Sequence, residues 1–108
     1  MSEGRDDARE AYERVADQLE DDGAQRGVMF GMPSLKVGNK AVGGYAEGAM
    51  VFKLRGTDHA RAVALPGAHL FDPSGRGRPM KEWVQVPYEH CDEWLELGRA
   101  AVRVAAGG

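Results

Sequence analysis

Turn signals divide residues 26–56 at short intervals, and this spacing limits the possible folds more than any other feature of the 108-residue chain. Gly38-Asn39 and Glu47-Gly48 suit tight hairpin turns, because such turns need positive φ angles that glycine and asparagine tolerate. Pro33 stands near the start of the first strand, where we expect a break or bulge at 31–33 rather than ladder pairing. Residues 26–56 therefore predict an antiparallel meander of three strands.

Apolar and polar side chains alternate along the third of these strands. Met50, Phe52 and Leu54 share one face, while the residues between them share the other. A clean period of two residues is typical of a sheet that is covered on one side only. The residues expected to form most of the core are Tyr12, Val15, Leu19, Met50, Phe52, Leu54, Val84, Val86, Trp94 and Leu97.

Three helices are predicted around the strands. Apolar residues recur at helical spacing up to Gly23, which suits a helix end, and further helices are predicted over 59–65 and 91–105. Short strands near 69–71 and 80–86 complete the order α-β(3)-α-β(2)-α. Residues 1–108 thus predict one α+β domain with a mainly antiparallel sheet and helices on one face, frayed at 1–5 and 106–108.

Charge is unevenly distributed along the chain. Residues 1–22 carry nine acidic and three basic side chains. Residues 23–81 carry three acidic and nine basic side chains, and residues 82–108 carry five acidic and two basic ones. The basic middle segment could bind an anion. We favour acidic helices that pack beside a basic sheet, because the net charge is −3 and nucleic-acid modules are usually basic overall.

The N-terminal sequence and the cysteine content indicate a compartment. Residues 1–22 hold no apolar signal region, and no uncharged stretch is long enough to span a membrane. The single cysteine, Cys91, has no partner for an internal disulfide, which fits a reducing environment. We therefore expect a cytoplasmic protein. The absence of isoleucine and the excess of arginine over lysine indicate a GC-rich bacterial genome.

Short motifs follow one another in a recognisable order over residues 8–104. They are Met29-Phe30-Gly31, Gly38-Asn39-Lys40, Val51-Phe52-Lys53-Leu54, Phe71, Met80-Lys81, Val86-Pro87 and the helix that contains Trp94. In this order they resemble the N-terminal domain of the TfoX/Sxy family, which is named after bacterial competence regulators. The resemblance implies an α-β(3)-α-β(2)-α fold similar to secretion chaperones, no catalytic residues, and a part in transcription regulation alongside other proteins.

The chain departs from the family pattern in two places. Met32-Pro33 stands where the family has a second glycine, so we expect the first strand to start differently. The sequence ends at Gly108 without the C-terminal domain of full-length competence regulators, so we expect a stand-alone domain of the N-terminal type.

The histidines and the cysteine are the candidates for metal binding or nucleophilic chemistry. His90 and Cys91 are adjacent, whereas His59 and His69 fall on separate elements, so the spacing fits no zinc template. Neighbouring helical residues point about 100° apart, and no third group is placed to orient Cys91 as a nucleophile. We expect no metal, no cofactor and no catalytic residue.

The predicted open face of the sheet carries the candidate binding residues. If Val84 faces the core, Trp83 points the other way, and Lys53, Arg55 and Lys81 share its face. An exposed tryptophan among basic residues is typical of an association site. We expect these four residues to bind another protein or a second copy. Two alternatives remain. In the first, a terminal segment or the 72–79 loop covers Trp83. In the second, the bases of single-stranded nucleic acid stack on this face.

These observations predict a non-enzymatic regulatory or protein-association domain. The alternative is a small-ligand-binding domain or an enzyme with a cleft near 26–33 and 72–79, in which Arg26, His69 or Cys91 would converge. Arg76 and Arg78 in the second of these segments could contact an anion, although a solvated loop also explains them.

Overall fold

The structure is a computed structural model that describes the backbone of residues 3–107 and the side chains of residues 7–107. The described elements are, in chain order, α1 (Glu3–Asp21), β1 (Gln25–Met29), β2 (Met32–Val37), β3 (Lys40–Ala46), β4 (Ala49–Lys53), α2 (Gly56–Val63), β5 (His69–Phe71), β6 (Met80–Pro87), a 3-10 helix (Tyr88–Glu93) and α3 (Trp94–Gly107). The strands form one antiparallel sheet in the order β1-β2-β3-β4-β6-β5. This confirms the α+β class.

The helices pack on one face of the sheet and share one core with it. Leu19 of α1, Ala62 of α2 and Leu97 of α3 are buried in the same cluster as Phe52 of β4 and Val86 of β6. All ten residues expected in the core belong to this cluster, which confirms the predicted register of β4 and β6. None of the described helices is both long enough and apolar enough to cross a membrane.

The helix bounds differ from the predicted ones. α2 ends at Val63 rather than at residue 65, and α3 begins at Trp94 rather than at residue 91, because residues 88–93 form a 3-10 helix. α1 begins at Glu3 and α3 reaches Gly107, so helix occupies part of the ends where we expected fraying. Residues 1, 2 and 108 lie outside the described part. α2 begins at Gly56, three residues before the predicted start, and no side chain caps it.

The first predicted strand is two strands, so the meander has four strands rather than three. Phe30 and Gly31 have φ angles of 54° and 74° and form a two-residue hairpin turn between β1 and β2. The predicted break is therefore present at Gly31, but the expectation that Pro33 stays out of the ladder is wrong, because it pairs with Val28. Pro33 precedes the β2–β3 ladder, which begins at Ser34, so its missing N–H leaves no partner unpaired there.

The sheet curls strongly, so that its two edges approach each other. Six strands at about 4.8 Å spacing would separate β1 from β5 by roughly 24 Å in a flat sheet. The ring of Phe30, at the end of β1, nevertheless lies 6.4 Å from the ring of Phe71 in β5. Gly44 permits this curvature, because a Cβ there would lie 2.7 Å from the carbonyl oxygen of Pro33.

Candidate functional site

The tip of the β1–β2 hairpin carries the most exposed large apolar side chains in the described part of the chain. Val28 is 78% exposed and Phe30 is 61% exposed. Val63 on α2 is the third such residue, at 38%. Single exposed apolar residues are ordinary, and these two lie on different sides of the hairpin. Phe30 lines the cleft beside Phe71, whereas Val28 lines a groove on the α1 side together with Arg26.

Phe30 holds an unfavourable backbone conformation. The first position of such a turn favours asparagine, aspartate or glycine, because a bulky side chain at positive φ is strained. Glu47 holds the corresponding position of the β3–β4 turn with a φ of 51°. Phe30 therefore lies where an asparagine would fit better, and its ring is directed to Phe71 on the face of the sheet opposite the helices.

A cleft of about 400 Å³ opens beneath the hairpin tip. Phe30, Met32 and Pro33 line one side, and Phe71 to Pro73 line the other. Gln85 of β6 also lines the cleft. The cleft thus lies between parts of the two segments, 26–33 and 72–79, that the sequence analysis singled out. Of the three residues expected to converge there, Arg26, His69 and Cys91, none lines it.

Arg26 instead lines a second groove, of about 380 Å³, on the α1 side of the hairpin. Its guanidinium group donates hydrogen bonds to the carboxylates of Glu13, Asp17 and Glu20, all on α1. Burial by itself would lower the pKa of Arg26, but these three carboxylates raise it above the ordinary arginine value. Arg26 is therefore occupied in fixing β1 to α1.

Two tyrosines join α1 to the end of β3 near the same groove. The ring of Tyr12 lies 5.5 Å from that of Tyr45, and the guanidinium carbon of Arg9 lies 5.6 Å from the Tyr45 ring centre. Burial raises the pKa of Tyr12 to about 12. Tyr12 consequently stays protonated at physiological pH and acts as a packing residue.

The loop that forms one wall of the cleft is organised by Asp72. Its carboxylate accepts hydrogen bonds from the Ser74 hydroxyl at 2.9 Å and from the amides of Gly75 and Gly77 at 3.0 and 2.9 Å. The Ser74 hydroxyl, assisted by the backbone amides, holds the pKa of Asp72 below its ordinary value. The Asp72 carboxylate thus makes its hydrogen bonds within the loop.

The order of this loop should depend on pH. A depressed carboxyl pKa stabilises the folded loop above the unfolded pKa of about 3.9, and that contribution is lost as the pH falls through the lower folded value. We expect the amide NMR resonances of Gly75 and Gly77 to titrate together below about pH 4. Asp72→Asn should remove this titration, because the amide of asparagine does not ionise in this range. Resonances that titrate in the variant as in the wild type would contradict the assignment to Asp72.

Trp83 faces the side of the sheet that the alternation predicted, but the expectation of an exposed tryptophan is wrong. Trp83 is 7% exposed and forms a small buried cluster with Val51 and Phe71. Met29 and Met32 of the hairpin pack against this cluster. The curled sheet therefore covers Trp83 with its own edges, whereas the described cluster contains no residue of a terminal segment or of the 72–79 loop, the two covers that the sequence left open.

The basic residues of the predicted patch are partly neutralised. Glu82 forms ion pairs with Arg55 at 2.9 Å and with Lys53 at 3.9 Å. Lys53 pairs with Trp83 across β4 and β6, so the structure brings these two together. Lys81 is exposed, and its carbonyl oxygen lies 2.8 Å from Nε2 of His59. With Trp83 buried, these residues do not form an exposed aromatic-basic surface.

The remaining candidates are dispersed. Arg76 and Arg78 are exposed, and neither pairs with a carboxylate among the described side chains. His90 contacts the carbonyl oxygen of Pro66 at 2.8 Å, and Cys91 is partly buried against the main core. Across the described residues, no three histidine, cysteine or acidic side chains lie close enough to hold a metal ion.

Sequence reasoning did not identify Val28 and Phe30 as surface residues. Met29-Phe30-Gly31 belongs to the motifs of the family resemblance, and an aromatic residue is seldom expected at a turn position with positive φ. The signal that could have found them is the glycine directly after Phe30, which suits the second position of a hairpin turn.

Comparison with protein-family models, curated proteins and solved structures finds no match to this chain, so the resemblance to the TfoX/Sxy family stays a prediction.

Proposed function

We propose that the chain is a non-enzymatic domain that works by binding another protein, and that the tip of the β1–β2 hairpin is the contact. The observation that carries the proposal is the exposure of Phe30 at a position that its backbone disfavours. Strain of this kind costs about 1–3 kcal/mol and is concentrated in functional segments. A regulatory role in the bacterial cytoplasm, alongside transcription and competence proteins, follows from the family resemblance as part of the same proposal.

The surroundings of Phe30 suit an apolar side chain of a partner. The cleft beside it is lined by the apolar side chains of Met32, Pro33, Phe71 and Pro73, and polar residues, among them Arg9, Glu47 and Asp72, line the rest. Methionine adapts its shape readily to a bound group. An exposed aromatic residue beside a cleft with apolar walls on both sides can serve as the anchor of a binding contact.

Phe30→Asn separates binding from stability. Asparagine fits the turn, so the variant should melt at a temperature equal to or higher than that of the wild type. Loss of the aromatic contact should weaken partner binding by about 2 kcal/mol, or roughly thirtyfold. The measurement is quantitative mass spectrometry of proteins captured from the cytosol by immobilised domain, followed by the dissociation constant of each captured protein.

Val63→Ser is the matched control, because Val63 is an exposed apolar residue on α2, away from the hairpin. Proteins retained by the wild type and by Val63→Ser but lost with Phe30→Asn would support the proposal. Equal capture and equal affinity in all three proteins would show that the hairpin tip is ordinary surface.

A small-molecule site in the same cleft is the second candidate. The cleft volume of about 400 Å³ lies within the range of small-ligand pockets, and Gln85 provides a polar group at its wall. Titration with indole, followed by NMR, should then shift the amides of residues 30–33, 45–47 and 71–73 and saturate. Small, non-saturating shifts across the whole domain would exclude this candidate.

A further inference from the structure

The outer edge of β1 presents backbone groups without a strand beside them. Next to a two-residue hairpin loop, the first pair exchanges both hydrogen bonds, and every second pair after it does the same. Met29 with Met32, Gly27 with Ser34 and Gln25 with Lys36 are therefore the bonded pairs. The residues between them, Arg26 and Val28, direct their N–H and C=O groups away from β2, where no described strand lies.

The opposite edge of the sheet is protected, whereas β1 is not. β5 has three residues and a register shift between Leu70 and Phe71, and short or bulged edge strands resist pairing with other chains. β1 has five residues, contains no proline and pairs with β2 without a register shift. Its charged side chain, Arg26, is turned back to α1. β1 is thus the edge that can accept another strand.

The residues of β1 match a second β1 in an antiparallel pairing about Gly27. When Gly27 lies opposite Gly27 of the partner subunit, Arg26 lies opposite Val28 of the partner subunit. The outward-directed residues then form hydrogen-bonded pairs, and the glycines occupy the closely spaced non-bonded pair. A twofold axis through that pair would relate the copies, as in most homodimers.

The charges near this edge permit the pairing. A register centred on Arg26 would place two guanidinium groups opposite each other, whereas the Gly27 register places none. In each copy, Glu13, Asp17 and Glu20 form one ion-pair cluster with Arg9 and Arg26, with a net charge of −1. Exposed charges of this kind interact weakly and are screened over about 8 Å at physiological ionic strength.

We propose that a second copy of the chain pairs with β1 in antiparallel fashion about Gly27, which joins the two sheets into one. The inference goes beyond the proposed function, because it concerns the outer edge of β1 rather than the Phe30 side of the hairpin. Light scattering should show the mass rising with concentration from 11.7 kDa toward twice that value.

Disulfide trapping tests the register. In a Cys91→Ser background, Gly27→Cys should cross-link two copies under mild oxidation, since a non-bonded antiparallel pair has Cα atoms about 4.5 Å apart. A Cβ at Gly27 would meet Lys36 Cε at 3.6 Å and Ser34 Oγ at 3.7 Å, which are ordinary contacts. Gln25→Cys is the matched control, because the two copies of residue 25 would be roughly 13 Å apart. It should cross-link at least tenfold more slowly.

Val28→Pro tests the hydrogen bonds of the edge. Proline keeps apolar bulk but removes the outward N–H, so this variant should remain monomeric where the wild type is dimeric. If Val28→Pro fails to fold, Val28→Lys replaces it, because natural edge strands often carry a lysine that prevents pairing with other strands.

A wild type that stays monomeric at millimolar concentration, or equal cross-linking at positions 25 and 27, would overturn the inference. Phe30→Asn should leave cross-linking intact, so failure of this inference is distinguishable from failure of the proposed function.

Discussion

Replacement of Trp94 by alanine should lower the free energy of unfolding by about 3–5 kcal/mol, a large fraction of what a domain of this size has. Trp94 is fully buried where α3 meets the sheet. Its indole N–H donates a hydrogen bond to the carbonyl oxygen of Val86 at 3.2 Å, and its ring lies 6.1 Å from that of Tyr88. The substitution therefore removes a large core side chain and one hydrogen bond to the Val86 carbonyl oxygen, which also faces Met50 in the β4–β6 ladder. Urea unfolding followed by circular dichroism measures the loss.

Trp94→Phe is the control that separates packing from hydrogen bonding. It keeps most of the apolar volume and removes the N–H, so it should cost about 1–2 kcal/mol. A cost for Trp94→Ala no greater than that for Trp94→Phe would show that the site collapses around the cavity and that packing at α3 is loose.

Gly44→Ala should be the second most damaging change, at about 3 kcal/mol. The added Cβ would lie 2.7 Å from the carbonyl oxygen of Pro33 and 3.0 Å from Cε of Met32. A backbone oxygen cannot rotate away, so β2 must move off β3, and the Phe30 ring should lose its contact with Phe71. The measurements are urea unfolding and the nuclear Overhauser effect between these two rings.

Gly27→Ala is the matched control for Gly44→Ala. Gly27 is also a strand glycine, but a Cβ there has ordinary contacts at 3.6 Å and beyond. Its effect on the free energy of unfolding should stay below about 1 kcal/mol. Similar losses of unfolding free energy in the two variants would mean that Gly44 matters through backbone entropy and not because β2 approaches it closely.

The class of the fold and its main core could be predicted because two periodicities agree. The two-residue period of residues 50–54 assigns one face of β4 to the core. The helical spacing of apolar residues assigns Tyr12 and Leu19 of α1 and Leu97 of α3 to the same core, and both assignments are confirmed. The Phe30-Gly31 turn could not be predicted in this way. Local preference disfavours phenylalanine there, and the conformation depends on a contact with Phe71, which is distant in sequence.

The candidate site was predictable in position but not in composition. A cleft does lie between the two segments expected, yet Trp83, the residue chosen from alternation, is buried. The alternation of apolar and polar residues indicates which face of the sheet a side chain occupies. It does not indicate what covers that face. The cover comes from the curling of the whole sheet, for which Gly43-Gly44 is an ambiguous signal, because paired glycines are equally usual in turns.

The two buried clusters each contain one of the two tryptophans of the chain, Trp94 beneath the helices and Trp83 beneath the β1–β2 hairpin. Each indole is therefore a fluorophore for one side of the sheet. In a Trp94→Phe protein, the emission of Trp83 reports on the hairpin, and a red shift at urea concentrations that leave the far-ultraviolet spectrum unchanged would record the hairpin lifting as a separate step. Trp83 is thus a built-in probe for any movement of the hairpin that carries Phe30.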